Sequence, residues 1–348
     1  MAIVIGCDLH SRFQQVAVMD LGTGEVLCEQ RVEHEGDQVR SFYQRWSGPV
    51  AVAIEATGYT AWFAQLLAEL GHQLVAGDAA RLRAMEPRRQ KTDRRDALHL
   101  ANVFASGRYP AIWLADPARR DLRHLLLHRH RLVRTRTQVK NHLHALAMNH
   151  GLCRKRALFS VAGRQRLEAL AMAPFEGWRR GELLEWLDLL TGKVQSVDQQ
   201  LQQQLPAWPE AGRLMTHPGV GPVTALAWVA FVGDAGRFPG SARLCSYLGL
   251  IPREASSGGR QHLGSISKQG NGFLRFLLVE AAQTAVRGDL ELGRWYRRLA
   301  AAKGRPRAKV AVARKLAVRL YWMSVRSVGY SALEVGGNMQ AGSSGSLA

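Results

Sequence analysis

The chain has 348 residues, 47% of them hydrophobic, which excludes a disordered chain and leaves room for two domains with sizeable cores. Lys and Arg number 47 against 28 Asp and Glu, a formal net charge of +19 that makes a polyanion the expected partner and nucleic acid the first candidate. An acidic membrane surface is the rival, but no apolar run reaches spanning length and Asp8 comes too early for a signal peptide, so a cytoplasmic protein with no membrane partner is expected.

Residues 2–7 form a short apolar run that ends at Asp8. Residues 15–21 and 25–32 read as second and third strands, so a β-meander opens the chain. A helical segment over 37–46 leads to an apolar run over 49–55, read as a buried central strand whose last residue is Glu55. A helix over 61–70, a strand over 72–76 and a helix over 93–105 follow. Three strands, then helix, strand, helix, strand, helix is a ribonuclease-H-like order.

Asp8 and Glu55 both stand at the polar end of an otherwise apolar strand. If those strands are neighbours in the sheet, the two carboxylates meet at one edge of the core. Asp93 and Asp96 lie three residues apart, on one face of a helix that Thr92 is placed to cap. Like charges held that close repel, and a divalent cation relieves the repulsion. Singly, each acid also reads as a turn residue or a first-turn helix acid. As a set, the four fit a site for one or two Mg²⁺ ions, which stabilise charge on the attacking and leaving oxygens of a phosphodiester.

The four cysteines, Cys7, Cys28, Cys153 and Cys245, are scattered with no Cys-x-x-Cys pair and read as reduced packing residues. Residues 121–148 read as a helix in which Leu125, Leu132, Val139 and Leu146 recur every seven positions, with Leu126 and Val133 widening the stripe. Arg123, Arg129, Arg131, Arg134, Arg136 and Lys140 crowd its remaining surface and favour phosphate contact over a merely solvated face. From Glu182 onward Leu183, Leu187, Leu190, Val194, Val197 and Leu201 alternate four and three apart, a coiled-coil seam that Pro206 ends. The seam can pair with the preceding helix or between chains.

Residues 216–224 hold a Gly-x-Gly turn opening a helix over 225–232, a turn suited to phosphate contact through its backbone N–H groups. A helix over 241–248 is followed by two loops, 249–260 and 264–275, rich in Gly, Ser and cations. Arg253, Arg260, Lys268 and Arg275 lie in them and are read as nucleic-acid-binding residues, and Asn271 is placed to cap an apolar helix with Leu274, Leu277, Leu278 and Ala281 facing the core. Residues 294–326 are basic and helical, and 336–348 read as a mobile tail.

Taken together, Gly-Cys-Asp8, Ile-Glu55-Ala-Thr-Gly, Lys-Thr-Asp93-Arg-Arg-Asp96-Ala, Pro-Gly-Val-Gly-Pro, Tyr-Leu-Gly-Leu-Ile-Pro, Ser257-Gly and Ser-Lys-Gln-Gly-Asn resemble the DEDD transposases of the IS-one-ten insertion-sequence family, from Ile3 to about Ser327. The resemblance implies a RuvC-like catalytic domain over 1–110, a basic helical and coiled-coil segment over 111–210, a mainly helical transposase domain over 211–330 and a flexible tail over 331–348. It implies a recombinase acting on donor and target DNA, guided by a structured bridge RNA. By motif, Asp8, Glu55, Asp93 and Asp96 become the metal-binding tetrad, with Mg²⁺ as cofactor and Mn²⁺ as substitute. Ser257 becomes the nucleophile of a covalent phosphoserine intermediate, with Ser256 the second choice. Strand exchange needs several active sites at once, so a homodimer or homotetramer is expected, with an interchain contribution from the coiled-coil seam. Two alternatives stay open: a RuvC-like Mg²⁺-dependent nuclease or junction resolvase in which Ser257 only contacts phosphate, and a basic nucleic-acid-binding protein whose acids are structural.

Overall fold

Alternation of apolar side chains over the first third of the chain produces a sheet covered on both faces. In the computed structural model, which describes residues 2–86, 92–152, 157–254 and 262–335, this sheet belongs to the first of two compact units, Met1–Leu114 and Ala115–Ala348. Its strands are β1 (Ile3–Leu9), β2 (Phe13–Asp20), β3 (Val26–Glu33), β4 (Ala51–Glu55) and β5 (Gln73–Gly77), interleaved with helices α1 (Gln38–Gln44), α2 (Ala61–Glu69), α3 (Ala79–Ala84) and α4 (Asp93–Ala105). The spatial order is β3-β2-β1-β4-β5, antiparallel across the first three and parallel from β1 to β4 to β5, an arrangement consistent with a ribonuclease-H-like fold.

The period of two divides each strand between the faces. Ile5, Cys7, Leu9, Val16, Val18, Val52 and Ile54 pack with Phe42 of α1 and Phe63 and Leu67 of α2. Val4, Met19 and Ala53 point the other way, onto Ala101 of α4. The opening strand runs two residues further than its apolar stretch predicts. Pairing with β2 continues through Asp8↔Gln15 and Leu9↔Gln14, so Asp8 is a strand residue and not a turn residue.

The second unit is helical. Its first helix, α5 (Pro117–Asn149), begins earlier than its heptads indicate, because Asp116 accepts a hydrogen bond from the Arg119 N–H (2.8 Å) and Pro117 occupies the first helical position. After the short α6 (Val161–Glu168) comes α7 (Pro174–Gln204). The leucine seam of α7 is taken up within the chain by the preceding long helix, one of the two pairings its spacing allows. Leu183, Leu184 and Leu187 pack with Val139, Leu143 and Leu146 of α5, and Val197 and Leu201 join the cluster that holds Leu122 and Leu126. The two helices therefore run antiparallel, each supplying the apolar stripe the other must cover.

Beyond them lie α8 (Pro209–Met215), α9 (Pro222–Val232), α10 (Ser241–Tyr247), a two-stranded ribbon of β6 (Pro252–Glu254) and β7 (Leu263–Ile266), and helices α11 (Gly272–Gly288), α12 (Leu290–Lys303), α13 (Arg305–Arg326) and α14 (Tyr330–Val335). Helix α9 is buried from Thr224 to Val232 and forms the centre of this core. Cys7 and Cys245 are buried free thiols and Cys28 is a half-buried one, while Cys153 lies outside the described residues, as does the expected tail over 336–348. Among the described residues no helix is long and apolar enough to cross a membrane.

Candidate metal centre

β1 and β4 are parallel neighbours whose last paired residues are Cys7 and Ile54, so Asp8 and Glu55 are the next residues on adjacent strands. Both continue the rows that face α4, Val4 to Gly6 to Asp8 and Ala51 to Ala53 to Glu55. The third and fourth acids arrive on α4. Thr92 caps that helix by accepting from the Arg95 N–H (3.4 Å), which puts Asp93 and Asp96 in the first turn. Arg94, between them, pairs with Glu29 of β3 and ties the helix start to the sheet.

The tightest cluster joins three side chains. His10 Nε2 lies 3.0 Å from Asp8 Oδ2 and 3.7 Å from Asp93 Oδ2. One ligand atom from each of Asp8, His10 and Asp93 falls within 4.8 Å of the others, close enough to hold a metal ion. Asp8 is the anchor, its side chain only 23% exposed, whereas Asp93, at 52%, closes the cluster from the solvent side. Burial pushes the Asp8 carboxyl above the usual carboxylate range; His10 opposes that, while the charges of Asp96 and Asp93 add to it. Two carboxylates and an imidazole fit a divalent cation, which would relieve this repulsion.

Asp96 is half-buried and near enough for Asp8 to feel its charge, yet it stands outside the tight trio. Glu55 also stands outside it, with Oε1 3.1 Å from an Arg83 guanidinium nitrogen. The strand end that carries Glu55 is pinned by Tyr109, whose hydroxyl donates to the Ile54 carbonyl (2.6 Å). Sequence reasoning passed over both His10 and Arg83. The signal for His10 was its Asp-x-His spacing at the end of a strand that turns back at once into the next.

Of the cations singled out from sequence, Arg134, Arg253 and Lys268 are exposed and Arg136 is half-buried. Arg129 pairs with Asp198 of α7 (Nη2 to Oδ2, 3.2 Å) and joins the two long helices. Lys140 lies 5.1 Å from the Phe159 ring, and burial, with the charge of Arg136, pushes its ammonium group down. Arg275 donates to the carbonyls of Leu248, Gln269 and Lys268, at 2.8, 2.8 and 3.0 Å, and clamps the approach to α11. Asn271 caps α11 through the Leu274 N–H (2.9 Å), and Leu274, Leu277, Leu278 and Ala281 are buried as predicted. The Gly-x-Gly turn differs from expectation: Gly219 packs on Ala281 and Ala285 of α11 and Val220 is buried, so the turn faces the core. Ser256, Ser257 and Arg260 lie outside the described residues, in the segment between β6 and β7. Stretches expected to be loop on either side of that segment pair as strands, Pro252 with Ile266 and Glu254 with Leu263.

A sheet of this order, with acids where its central parallel strands and the capping helix converge, defines a class of metal-dependent enzymes that act on phosphodiesters. Two family profiles match the chain. Residues 5–149 match a DEDD transposase family of the IS110 type, described as "Transposase", and residues 211–297 match "Transposase IS116/IS110/IS902 family". The chain is 32% identical over 292 residues to a probable family 20 transposase of Pseudomonas aeruginosa, covering 81% of this chain and 84% of the relative. It is 31% identical over 252 residues to the transposase for insertion sequence element IS1111A of Coxiella burnetii, covering 69% and 68%. To the transposase for insertion sequence element IS1328 of Yersinia enterocolitica it is 27% identical over 239 residues, covering 68% and 70%. The chain belongs to the IS110/IS116/IS902 family of transposases, enzymes that cleave and join DNA.

Proposed function

We propose that this transposase mobilises its own insertion sequence through a covalent phosphoserine intermediate, with Asp8, Glu55, Asp93 and Asp96 holding Mg²⁺ and Ser257 as the nucleophile. The observation that carries the reading is the convergence of Asp8 and Asp93, residues 85 positions apart, at the end of β1 and the start of α4. Convergence of like charges at a half-buried site costs stability unless a cation occupies it.

Held by Asp8, Glu55, Asp93 and Asp96, a divalent ion would supply charge neutralisation at the scissile phosphate and at the leaving oxygen. The protein's own part is positioning. Asp8, held by β1, fixes the buried side of the centre, and Asp93 and Asp96 follow the orientation of α4. The Ser257 oxygen bonds to phosphorus, the bond from phosphorus to the leaving DNA oxygen breaks, and the hydroxyl proton ends on that oxygen. The covalent link conserves the phosphodiester energy for rejoining, whereas attack by water would only cut.

DNA is the substrate, and a structured guide RNA is the proposed source of sequence specificity, which a net charge of +19 and the exposed Arg134, Arg253 and Lys268 support. A homodimer or homotetramer is supported by a row of exposed apolar residues on the free face of α7, namely Phe175, Trp178, Trp186 and Leu189.

Incubation with element-end DNA and RNA transcribed from the sequence flanking the reading frame, followed by denaturation, tests the mechanism. Protein should remain attached to DNA, and Ser257→Ala should remove the adduct while binding survives. Cleavage that persists in Ser257→Ala without any adduct would mean a hydrolytic nuclease instead. Asp8→Asn or Asp96→Asn should remove cleavage and leave nucleic-acid binding intact. If both activities survive those changes, the acids are structural.

A further inference from the structure

We propose that His10 is a nitrogen ligand of the metal ion, so that the centre joins an imidazole, beside Asp8 and Asp93, to its carboxylates. This rests on the metal-centre reading of Asp8 and Asp93. It adds to the four acids a residue that lies on a different element from Glu55 and from α4.

Three observations carry it. First, a single imidazole nitrogen faces two carboxylates: Nε2 is 3.0 Å from Asp8 Oδ2 and 3.7 Å from Asp93 Oδ2. The first is a hydrogen-bond distance and the second an ion-pair distance, and both also suit ligand atoms gathered around one ion. Around one six-coordinate ion with bonds of about 2.1 Å, neighbouring ligand atoms lie about 3 Å apart and opposed ones about 4 Å apart, and the two distances fall in that range. Secondly, Nε2 is the imidazole atom aimed at the acids, and the ring is held there by construction. The His10 N–H donates to the Phe13 carbonyl (3.0 Å) across the tight β1–β2 turn, which folds the side chain back over the strand end. The His10 ring stacks on Phe13 with centroids 4.5 Å apart and planes 27° from parallel, and the Arg31 guanidinium covers Phe13 at 3.7 Å from its ring centroid. Thirdly, Glu55 is engaged by Arg83, and among the described residues the group of ligand atoms that lie within 4.8 Å of one another takes its third donor from the imidazole of His10.

The consequence is metal preference. Imidazole binds Mn²⁺ more favourably than it binds Mg²⁺, whereas carboxylate-only sites suit Mg²⁺ well. The wild-type chain should favour Mn²⁺, and loss of the imidazole should narrow the gap between the two ions.

The test uses the full-length protein with ¹⁵N-labelled histidine and Mn²⁺ alone. Electron spin-echo envelope modulation should show a directly coordinated histidine ¹⁵N in the wild type and not in His10→Gln. Mn²⁺ affinity should fall about tenfold or more in His10→Gln, the scale on which even outer partners of metal ligands act, with Mg²⁺ affinity changing several-fold less. His10→Asp, which supplies oxygen in place of nitrogen, should bind Mg²⁺ at least as tightly as the wild type, and thermal melting of the apo variants controls for folding. Mn²⁺ bound with equal affinity by wild type and His10→Gln, without histidine coupling, would overturn the inference and leave the carboxylate centre standing. Mn²⁺ binding that Asp8→Asn does not weaken would overturn the metal-centre reading itself, and the inference with it.

Discussion

Gly6 of β1 and Ala97 of α4 meet backbone to backbone: a Cβ on Gly6 would lie 2.0 Å from the Ala97 carbonyl oxygen and 2.6 Å from the Ala101 nitrogen. Glycine here lets the helix settle directly on the central strand. Asp96 immediately precedes Ala97, and Asp8 stands two residues beyond Gly6 on the same face of the strand. The contact that seats the helix therefore also sets the spacing of the acids.

Gly6→Ala should force α4 off the sheet, because the obstructing atoms are backbone and cannot rotate away. A loss of about 1–3 kcal/mol is expected from overpacking, with a larger proportional loss of divalent-ion affinity as Asp93 and Asp96 move from Asp8. Urea unfolding and metal titration of the same sample check both. Gly192→Ala should do the opposite. Gly192 is exposed in the middle of α7 with open space around it, so alanine should stabilise the helix by about 0.5–1 kcal/mol.

The α5–α7 pair offers a test in two adjacent residues. Leu187 is buried in the seam and Trp186 points outward at 56% exposure. Leu187→Ala should cost about 2–4 kcal/mol by opening a cavity between the helices. Trp186→Ser combined with Trp178→Ser should leave the melting temperature nearly unchanged and shift the chain toward the monomer in light scattering. Unchanged mass would remove the support these residues lend to self-association.

A buried ionic cluster gives the second unit a predictable acid response. Asp289 caps α12 through the Leu292 N–H (2.8 Å) and accepts from the Tyr330 hydroxyl (2.6 Å) and from Arg319. Burial works against the Asp289 charge, but those three donors outweigh it and hold its carboxyl at about 2, against an ordinary 3.8. A carboxyl depressed in the folded state contributes stability above its unfolded pKa and loses it as pH falls through the folded one. About 2 kcal/mol should therefore disappear between pH 4 and pH 2, measured by denaturant unfolding. Asp289→Asn should flatten that slope while costing about 3 kcal/mol at neutral pH, since buried Arg319 loses its nearest counter-charge and keeps the exposed Glu291 at 3.7 Å.

Arg275 tests whether a basic residue from sequence is a loop clamp. Arg275→Ala frees three carbonyls and should cost about 1–3 kcal/mol, with faster hydrogen exchange at Ser267 and Lys268. Arg275→Lys should rescue little, because an ammonium group lacks the planar fork that reaches all three.

Local spacing decided whatever depends on one element. The periodicity of residues 3–9 and 51–55 marks two strands, the Thr92 cap starts α4, and a separation of three residues puts Asp93 and Asp96 on one helical face wherever that helix is found. The family motifs were legible for the same reason, being short and contiguous. Contacts between distant segments were not. His10 comes beside Asp8 because a hairpin folds it back, and Glu55 stands outside that trio, paired with Arg83 of α3. The α7 seam offered equally good pairing with α5 or with another chain, and tertiary packing chose α5. Arg129 and Arg275 read from sequence as nucleic-acid contacts, and the fold supplied them with Asp198 and three carbonyls. A side chain's chemistry is written in its own residue, but its partner is decided by which surfaces must be buried together.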